Sequence, residues 1–176
     1  MTNNRKIVLH NVYTKHPAWV IPIAVPCVFV FGFLYYIFFG DHFKLSFIMI
    51  FTLLYLGAVT FIIKKSSEDV MIWFNDEHMF IQKGKKRQQK YLKADISGFY
   101  SYDYETKTPI LKKSLIKIKF IFKDGSKIHL NDSEYRNRYN EEKGRILEKL
   151  IQTAQLELGF QKVQSKKWSN IYWYSK

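Results

Sequence analysis

The sequence predicts an α+β protein in which an N-terminal helical hairpin precedes a small antiparallel β domain closed by a C-terminal amphipathic helix. Two uncharged apolar runs, residues 18–39 and 45–63, are separated by only five residues and predict the hairpin. Further along the chain, several short strand-like segments are followed by one segment with helical periodicity. A run of strands followed by a helix is typical of α+β domains, in which the helix packs on one side of the sheet.

The two apolar runs are 22 and 19 residues long. The hydrocarbon core of a bilayer is about 30 Å thick and needs roughly 20 apolar residues in a helix to cross it. We therefore expect a transmembrane helical hairpin over residues 17–64. The alternative is a pair of buried helices in a soluble protein, which the length, the lack of charge and the adjacency of the two runs disfavour.

Flanking cations predict the orientation of this hairpin. Arg5, Lys6 and Lys15 precede the first run, and Lys64-Lys65 follows the second, whereas the connecting residues 40–44 carry one lysine and one aspartate. Cytoplasmic flanks of membrane helices are enriched in Lys and Arg. Both termini are therefore predicted to be cytoplasmic, with the short loop on the other side.

Six strand-like segments follow the hairpin. They are residues 70–74, 79–82, 88–92, 96–102, 116–122 and 127–130. In the clearest of them, Ile116 to Phe122, apolar residues alternate with lysines, which is the pattern of a sheet with one face in water. Asp124-Gly125 between this segment and the next is a strong hairpin signal.

The amphipathic helix is predicted from apolar residues spaced by threes and fours between Ile146 and Leu158. Gly159 is well placed to end it. Asn131 or Asp132 is expected to cap its N-terminus, because Glu134 then completes a capping box with Asn131.

We therefore divide the chain into a cytoplasmic N-terminal segment (1–16), the hairpin (17–64), a cytoplasmic domain (66–160) and an aromatic and basic tail (161–176). The tail contains Lys166-Lys167-Trp168 and Tyr172-Trp173-Tyr174. It is an extra strand or lid on the sheet, a patch in the membrane interface, or a segment that binds a partner.

The cytoplasmic domain resembles the pleckstrin-homology-like family. The resemblance rests on the early hairpin 70–81, the stretch from Tyr91 to Ile96, and the Phe122–Gly125 hairpin that leads into the final helix, and it covers roughly residues 68–158. Bacterial membrane proteins of this type pair one or two N-terminal spans with such a domain. The resemblance thus implies a bacterial protein, integral to the cytoplasmic membrane.

The candidate binding site is a cluster of cations. The chain carries a net charge of +13, and from residue 64 onward it has 24 Lys and Arg against 14 Asp and Glu. Six cations fall within eleven residues with no acid among them: Lys83, Lys85, Lys86, Arg87, Lys90 and Lys93. They are either the solvated tip of a hairpin or a surface for anionic lipid headgroups or an acidic partner. In eukaryotic pleckstrin-homology domains a basic early hairpin grips phosphoinositides, and the resemblance implies a similar part here with other anionic lipids.

No catalytic or metal-binding motif is present in the sequence. The five histidines lack metal-ligand spacing on one helix, and the single cysteine, Cys27, lies in the first apolar run, so no disulfide forms within one chain. We expect neither an enzyme nor a cofactor. Nucleic acid is not an expected partner, because no recognisable binding motif accompanies aromatic residues such as Tyr100 and Tyr102.

The sequence therefore predicts a non-enzymatic, membrane-anchored cytoplasmic binding module whose basic surface contacts anionic lipid or an acidic partner. The alternatives are a protein-interaction subunit of a membrane complex and an immunity protein that neutralises a toxin. Small and hydroxyl residues of the second run, such as Ser46, Thr52 and Gly57, would permit close helix packing with such a membrane partner.

Overall fold

The computed structural model describes residues 6–15, 21–40, 45–108, 110–133, 138–163 and 170–176. The chain divides into two compact units. The sheet unit is Met1–Lys15 with Glu68–Lys176, and the helical unit is His16–Ser67. The helical unit is thus inserted, along the chain, into the sheet unit. Residues 1–15 belong to the sheet unit although they precede the hairpin.

The helical unit contains α1 (Ile21–Phe39) and α2 (Leu45–Lys65). Ring contacts join them: the ring centroids of Phe31 and Tyr55 are 6.3 Å apart, and those of Tyr35 and Phe51 are 5.4 Å apart. As the residue number rises along α1, the number of its partner on α2 falls. The two helices therefore run antiparallel, as a hairpin requires.

One stretch in the described residues, Ile48–Lys65, is long and apolar enough to cross a membrane by length and composition, and Ala24–Phe39 is a shorter apolar stretch. The sequence predicts two spans, whereas one helix of the described residues meets this length and composition. That either helix spans a membrane stays a prediction.

In the described part of the chain, nine strands form one antiparallel sheet in the order β4-β3-β2-β1-β7-β6-β5-β9-β8. The strands are β1 Ile7–Tyr13, β2 Glu68–Phe74, β3 His78–Lys83, β4 Gln89–Leu92, β5 Ile96–Tyr102, β6 Lys117–Phe122, β7 Lys127–Asp132, β8 Gln161–Val163 and β9 Ile171–Ser175. Short 3-10 turns occupy Lys93–Asp95 and Leu111–Ser114. The six strand segments predicted from the sequence correspond to β2–β7, and β1 was not predicted as a strand. β8 and β9 lie in the tail, for which an extra strand was one of three interpretations.

β1 lies between β2 and β7: residues 7–9 and Val12 pair with residues 70–72 and Glu68 of β2, and Val12 and Tyr13 pair on the other side with residues 131–132 of β7. The register shifts between Leu9 and Val12, where Asn11 has a φ of 57°. Asparagine tolerates this left-handed conformation better than most residues, and such irregularities bend a strand. The strand that precedes the hairpin in sequence therefore joins the two halves of the sheet.

The core of the sheet unit lies between the inner face of the sheet and α3 (Glu141–Leu158). Ile116, Ile118, Phe120 and Phe122 are all buried, which confirms the alternation predicted for β6. The apolar stripe of α3 is buried as predicted at five positions, Leu147, Leu150, Ile151, Ala154 and Leu158. The α+β class and the packing of the last helix on the sheet are thereby confirmed.

The N-terminal cap of α3 differs from the prediction. Asn131 and Asp132 lie in β7, and the cap is Asn140, whose side chain accepts a hydrogen bond from the Lys143 N–H at 2.9 Å. The predicted partner Glu134 lies outside the described residues. The prediction failed because β7 continues past Leu130 through pairing with β1 and β6, which the local sequence does not show. Gly159 ends the helix in the left-handed conformation, with a φ of 65°, as predicted.

The C-terminal tail adds two strands to the edge of the sheet. β9 pairs with β5 and β8 pairs with β9, and the Tyr174 ring stacks on Phe99 at 4.6 Å in the core. Of the three interpretations of the tail, the structure shows the extra strand. Lys166, Lys167 and Trp168 lie outside the described residues. The compact unit thus extends beyond the predicted domain, 66–160, at both ends.

Candidate functional site

The candidate site is the basic turn, which we define as residues 83–90, between β3 and β4. Lys83 ends β3, and Gly84 then adopts a φ of 53°, a conformation in which glycine avoids the strain that a side chain would cause. The Gly84 N–H donates to the Asp69 carbonyl at 2.7 Å, and the Lys86 N–H donates to the Lys83 carbonyl at 3.0 Å. The turn is thus held by backbone hydrogen bonds to itself and to the start of β2.

Four of the six predicted cations are exposed, and one of them, Lys86, pairs with Glu68. Lys85, Arg87 and Lys90 are exposed, and in the described residues no acidic side chain pairs with them. Exposed cations without a carboxylate partner keep their full charge toward solvent. These three are therefore the residues of the basic turn that are free to attract an anion.

Lys93 has a different role. Its ammonium group pairs with Glu157 of α3 at 2.5 Å and lies 6.0 Å from the ring centroid of Phe74, and its side chain is only 14% exposed. Lys93 is therefore separate from the exposed cations and lies where α3 packs on the sheet.

Lys86 pairs with the carboxylate of Glu68 at the start of β2, and the charge of Glu68 also acts on Lys83. The ammonium nitrogen of Lys86 lies 3.1 Å from Oε1 and 3.0 Å from Oε2 of Glu68. Burial lowers the pKa of Lys83, while the charge of Glu68 raises that pKa and the charge of Lys86 lowers it further. Two of the six cations are therefore partly compensated within the protein.

Glu68 was missed by the sequence analysis, although a signal for it existed. The predicted hairpin 70–81, extended by two residues in the same register, places Glu68 and Asp69 beside the turn after Lys83. The first predicted strand begins at residue 70, so the register of this hairpin was not extended to Glu68. The pairing of β2 with β3, rather than proximity in sequence, brings Glu68 close to the cations of the basic turn.

A second element borders the basic turn. A crevice of about 590 Å³ between β4 and the β6–β7 turn is lined by Lys90 and Lys123, together with Asp95 and Asp124. The Lys123 N–H donates to the Asp95 carbonyl at 2.8 Å, and hydrogen bonds from Ser126 lower the pKa of Asp124. Its two cations and two carboxylates balance in charge. The crevice lining therefore carries no net charge, and Lys90 belongs both to this lining and to the basic turn.

Within the described residues, no group of three or more His, Cys, Asp or Glu side chains could hold a metal ion. His10 and Asp69 form a pair across β1 and β2, with 3.0 Å between Nδ1 and Oδ2. Both side chains are more than half exposed.

No protein-family model, no curated protein and no solved structure matches this chain.

Proposed function

We propose that this chain is a membrane-anchored binding module without enzymatic activity, and that its basic turn contacts the anionic headgroups of the membrane that holds it. The observation that carries the proposal is that the exposed cations Lys85, Arg87 and Lys90 lie on a turn hydrogen-bonded to Asp69. Asp69 comes four residues after Lys65, the last residue of α2.

Chain length supports this proposal. An extended chain advances at most about 3.6 Å per residue, so Glu68 lies within about 11 Å of the end of α2. Lys86 is bound directly to Glu68. Each Lys or Arg near an anionic leaflet contributes about 1 kcal/mol, an effect that falls off within a Debye length of about 8 Å at physiological ionic strength. Because the turn is tied to the chain next to α2, a membrane around α2 would place the exposed cations near this range.

Strand pairing bears on the membrane topology we propose. Since β1 and β2 are hydrogen-bonded neighbours, the chain between them must return to the side that it left. A chain that does so crosses a membrane an even number of times. If α2 spans the bilayer, α1 must bring the chain across as well, even though it is the shorter apolar stretch. The helices, of 19 and 21 residues, are about 28 and 31 Å long, close to the thickness of a hydrocarbon core.

The orientation remains the one proposed from charge, with the sheet unit on the cytoplasmic side of a bacterial membrane. The flanking Lys64-Lys65 pair ends α2, and Lys6 and Lys15 lie in or beside β1. The pleckstrin-homology-like resemblance is supported by a helix that follows the predicted strands and packs on their inner face. We keep that family as a proposal for the sheet unit.

The test uses the full chain reconstituted in vesicles. A spin label at Gln88→Cys, in a Cys27→Ser background, reports whether the turn contacts the bilayer as the phosphatidylglycerol fraction and the salt concentration are varied. We expect contact to increase with anionic lipid and to weaken with salt. A label that responds to neither variable would show that the proposal is wrong.

A matched pair of triple variants separates the basic turn from net charge. Changing Lys85, Arg87 and Lys90 to Gln removes about 3 kcal/mol of attraction, which lowers the contact equilibrium constant roughly a hundredfold. Changing Lys112, Lys127 and Lys149 to Gln removes the same charge from exposed positions elsewhere on the sheet unit. The control is expected to leave contact nearly unchanged, and equal losses would assign the effect to overall charge.

The second candidate is a protein-interaction subunit of a membrane complex, and one observation favours it. On the outer face of the sheet, Tyr100 packs on Trp173 at 4.5 Å, and Lys119 lies 5.9 Å from the Tyr100 ring centroid. Tyr and Trp are enriched at protein interfaces. Purification from the native membrane in a mild detergent tests this candidate. A defined partner that is lost in Tyr100→Ala would support it, whereas a chain that always purifies alone would count against it.

A further inference from the structure

The carboxylate of Glu68 is built into the base of the basic turn. Its side chain is 19% exposed, whereas that of its partner Lys86 is 71% exposed. Gly84 leaves room for the carboxylate, because a Cβ atom at this position would lie 3.2 Å from Glu68 Oε2. In this arrangement the acid lies on the strand and is mostly buried, whereas the cation is mostly exposed.

We propose that Glu68 is an internal counter-anion for the basic turn, and that an external anionic surface competes with it for Lys86. The inference rests on the proposed function of the turn. A phospholipid phosphate offers the Lys86 ammonium group the same type of acceptor that Glu68 does. Lys86 then joins Lys85, Arg87 and Lys90 as a fourth cation that contacts the surface.

The exchange requires only a side-chain movement. An ion pair with one strongly exposed partner is worth no more than the attraction of one cation to an anionic leaflet, because its Coulomb attraction is screened and the long lysine side chain loses freedom in the pair. Lys86 can therefore leave Glu68 without disturbing the backbone hydrogen bonds from Gly84 to Asp69 and from Lys86 to Lys83. Glu68 also lowers the net positive charge of the turn, so binding requires a higher density of surface anions.

Neighbouring charges define which groups take part. Lys83 shares the charge of Glu68 but is half-buried in β3, so it stays in place when Lys86 moves. Asp69 is turned toward β1, where its carboxylate lies 3.0 Å from His10 and accepts from the Asn11 N–H at 3.3 Å. Lys86 is therefore the cation that Glu68 controls.

The experiment compares Lys86→Gln with Lys85→Gln in the same spin-labelled full chain, in vesicles containing phosphatidylglycerol. In the native background, removing Lys85 is expected to lower the contact equilibrium constant about fivefold. Removing Lys86 is expected to lower it less than twofold, because much of its contribution is offset by the lost pair with Glu68. In a Glu68→Gln background, each of the two substitutions is expected to lower the contact equilibrium constant about fivefold.

Glu68→Gln alone is expected to raise the contact equilibrium constant about fivefold. The control is Glu77→Gln, which removes the same charge from an exposed side chain at the opposite end of the β2–β3 hairpin and is expected to have little effect. Hydrogen exchange at the Gly84 amide shows whether the turn stays folded in Glu68→Gln. If it opens, the native-background comparison of Lys86→Gln with Lys85→Gln decides the matter.

The proposal that Glu68 is a counter-anion would be overturned if Lys85→Gln and Lys86→Gln lowered the contact equilibrium constant equally in the native background. It would also be overturned if Glu68→Gln and Glu77→Gln raised this constant equally. In both cases contact still depends on anionic lipid, so the proposed function stands. If contact in the native chain does not depend on the fraction of anionic lipid, the proposed function is wrong, and the counter-anion proposal that rests on it is wrong as well. The two failures are therefore distinguishable.

Discussion

The sheet unit and the helical unit are both rich in large apolar side chains, but they place them differently. Phe99, Phe120 and Tyr174 of the sheet unit are completely buried, whereas Phe29 of α1 is 72% exposed. The sheet has a second layer, α3, to cover its apolar face. In the described residues the helical unit consists of two helices, and many of their large apolar side chains are exposed. Exposed apolar surface of this extent marks contact with lipid or with another protein.

The largest expected effect is in the core of the sheet unit. Phe99→Ala removes a fully buried ring that stacks on Tyr174 and contacts Phe120 at 5.5 Å. Truncating such a ring leaves a cavity and is expected to lower the free energy of unfolding by about 4 kcal/mol. Guanidinium unfolding of the full chain in detergent, followed by the β-sheet circular dichroism signal, measures it. A loss below 1 kcal/mol would mean that β9 does not pack on β5 as described.

The next effect concerns a buried ion pair that joins β7 to α3. Asp132 and Lys143 lie 2.6 Å apart with side chains only 8% and 13% exposed, and Asp132 also accepts from the Ile116 N–H. Asp132→Asn leaves Lys143 without its counter-charge. The free energy of unfolding, measured by the same guanidinium assay, is expected to fall by about 3 kcal/mol.

The matched control for this pair is Glu141→Gln, which breaks the exposed pair with Arg145 on the same helix. This substitution is expected to lower the free energy of unfolding by about 0.4 kcal/mol, because the pair is solvent-exposed and screened. Similar losses for Asp132→Asn and Glu141→Gln would contradict the buried position of the β7–α3 pair.

Alkaline pH is expected to weaken the sheet unit through a smaller effect. Burial raises the pKa of the Tyr104 phenol well above its usual 10.0, although the hydrogen bond from Lys117 opposes this. The unfolded state then releases the proton first, so the stability that neutral Tyr104 contributes is present below pH 10 and is lost as the pH rises above it. Burial raises the pKa of Tyr174 in the same sense. Unfolding midpoints measured from pH 8 to pH 11 should fall above pH 10.

Tyr104→Phe separates the two contributions of this phenol. Its hydroxyl donates to the Leu115 carbonyl at 2.7 Å and accepts from the Lys117 N–H at 2.9 Å. The variant should lose about 2 kcal/mol at neutral pH, because these buried backbone groups lose their partner. Above pH 10 its stability should fall less steeply than that of the native chain. An unchanged slope would show that Tyr104 does not carry the effect.

The smallest expected effect is on the helical unit. Phe29→Ala removes a ring that is 72% exposed, so the free energy of unfolding of the sheet unit should change by less than about 0.5 kcal/mol. The same denaturation assay measures it beside Phe99→Ala. A loss comparable to that of Phe99→Ala would show that Phe29 packs within the protein, and would remove the contrast between the two units.

Elements with a strong local pattern were predicted well. The alternation in β6, the Asp124-Gly125 turn and the apolar stripe of α3 each follow from the spacing of neighbouring residues. β1 was missed because it is separated from β2 by the whole helical unit. An extra strand was one of three interpretations of the tail, because nothing local shows that β8 and β9 add to the edge beyond β5. The N-cap of α3 was misplaced for the same reason, since pairing with β1 and β6 extends β7 to Asp132.

The candidate site was predicted in part. The sequence located the cluster of cations, and the structure divides that cluster by partner: Lys93 with Glu157, Lys86 with Glu68, and Lys85, Arg87 and Lys90 exposed. The sequence could not make this division, because Glu157 is 64 residues from Lys93 and Glu68 is 18 residues from Lys86. A charge count is local, whereas compensation of charge depends on distance in space.

By itself, the sequence determined the α+β class, most strands and the place of the last helix, because these depend on side-chain periodicity over a few residues. It also determined that the apolar and basic parts of the chain are separate. Only the tertiary structure decided that the segment before the helices is a strand, that the tail completes the sheet, and which cations remain exposed. Each of these rests on hydrogen bonds or ion pairs between distant residues, whose formation depends on the packing of the whole unit.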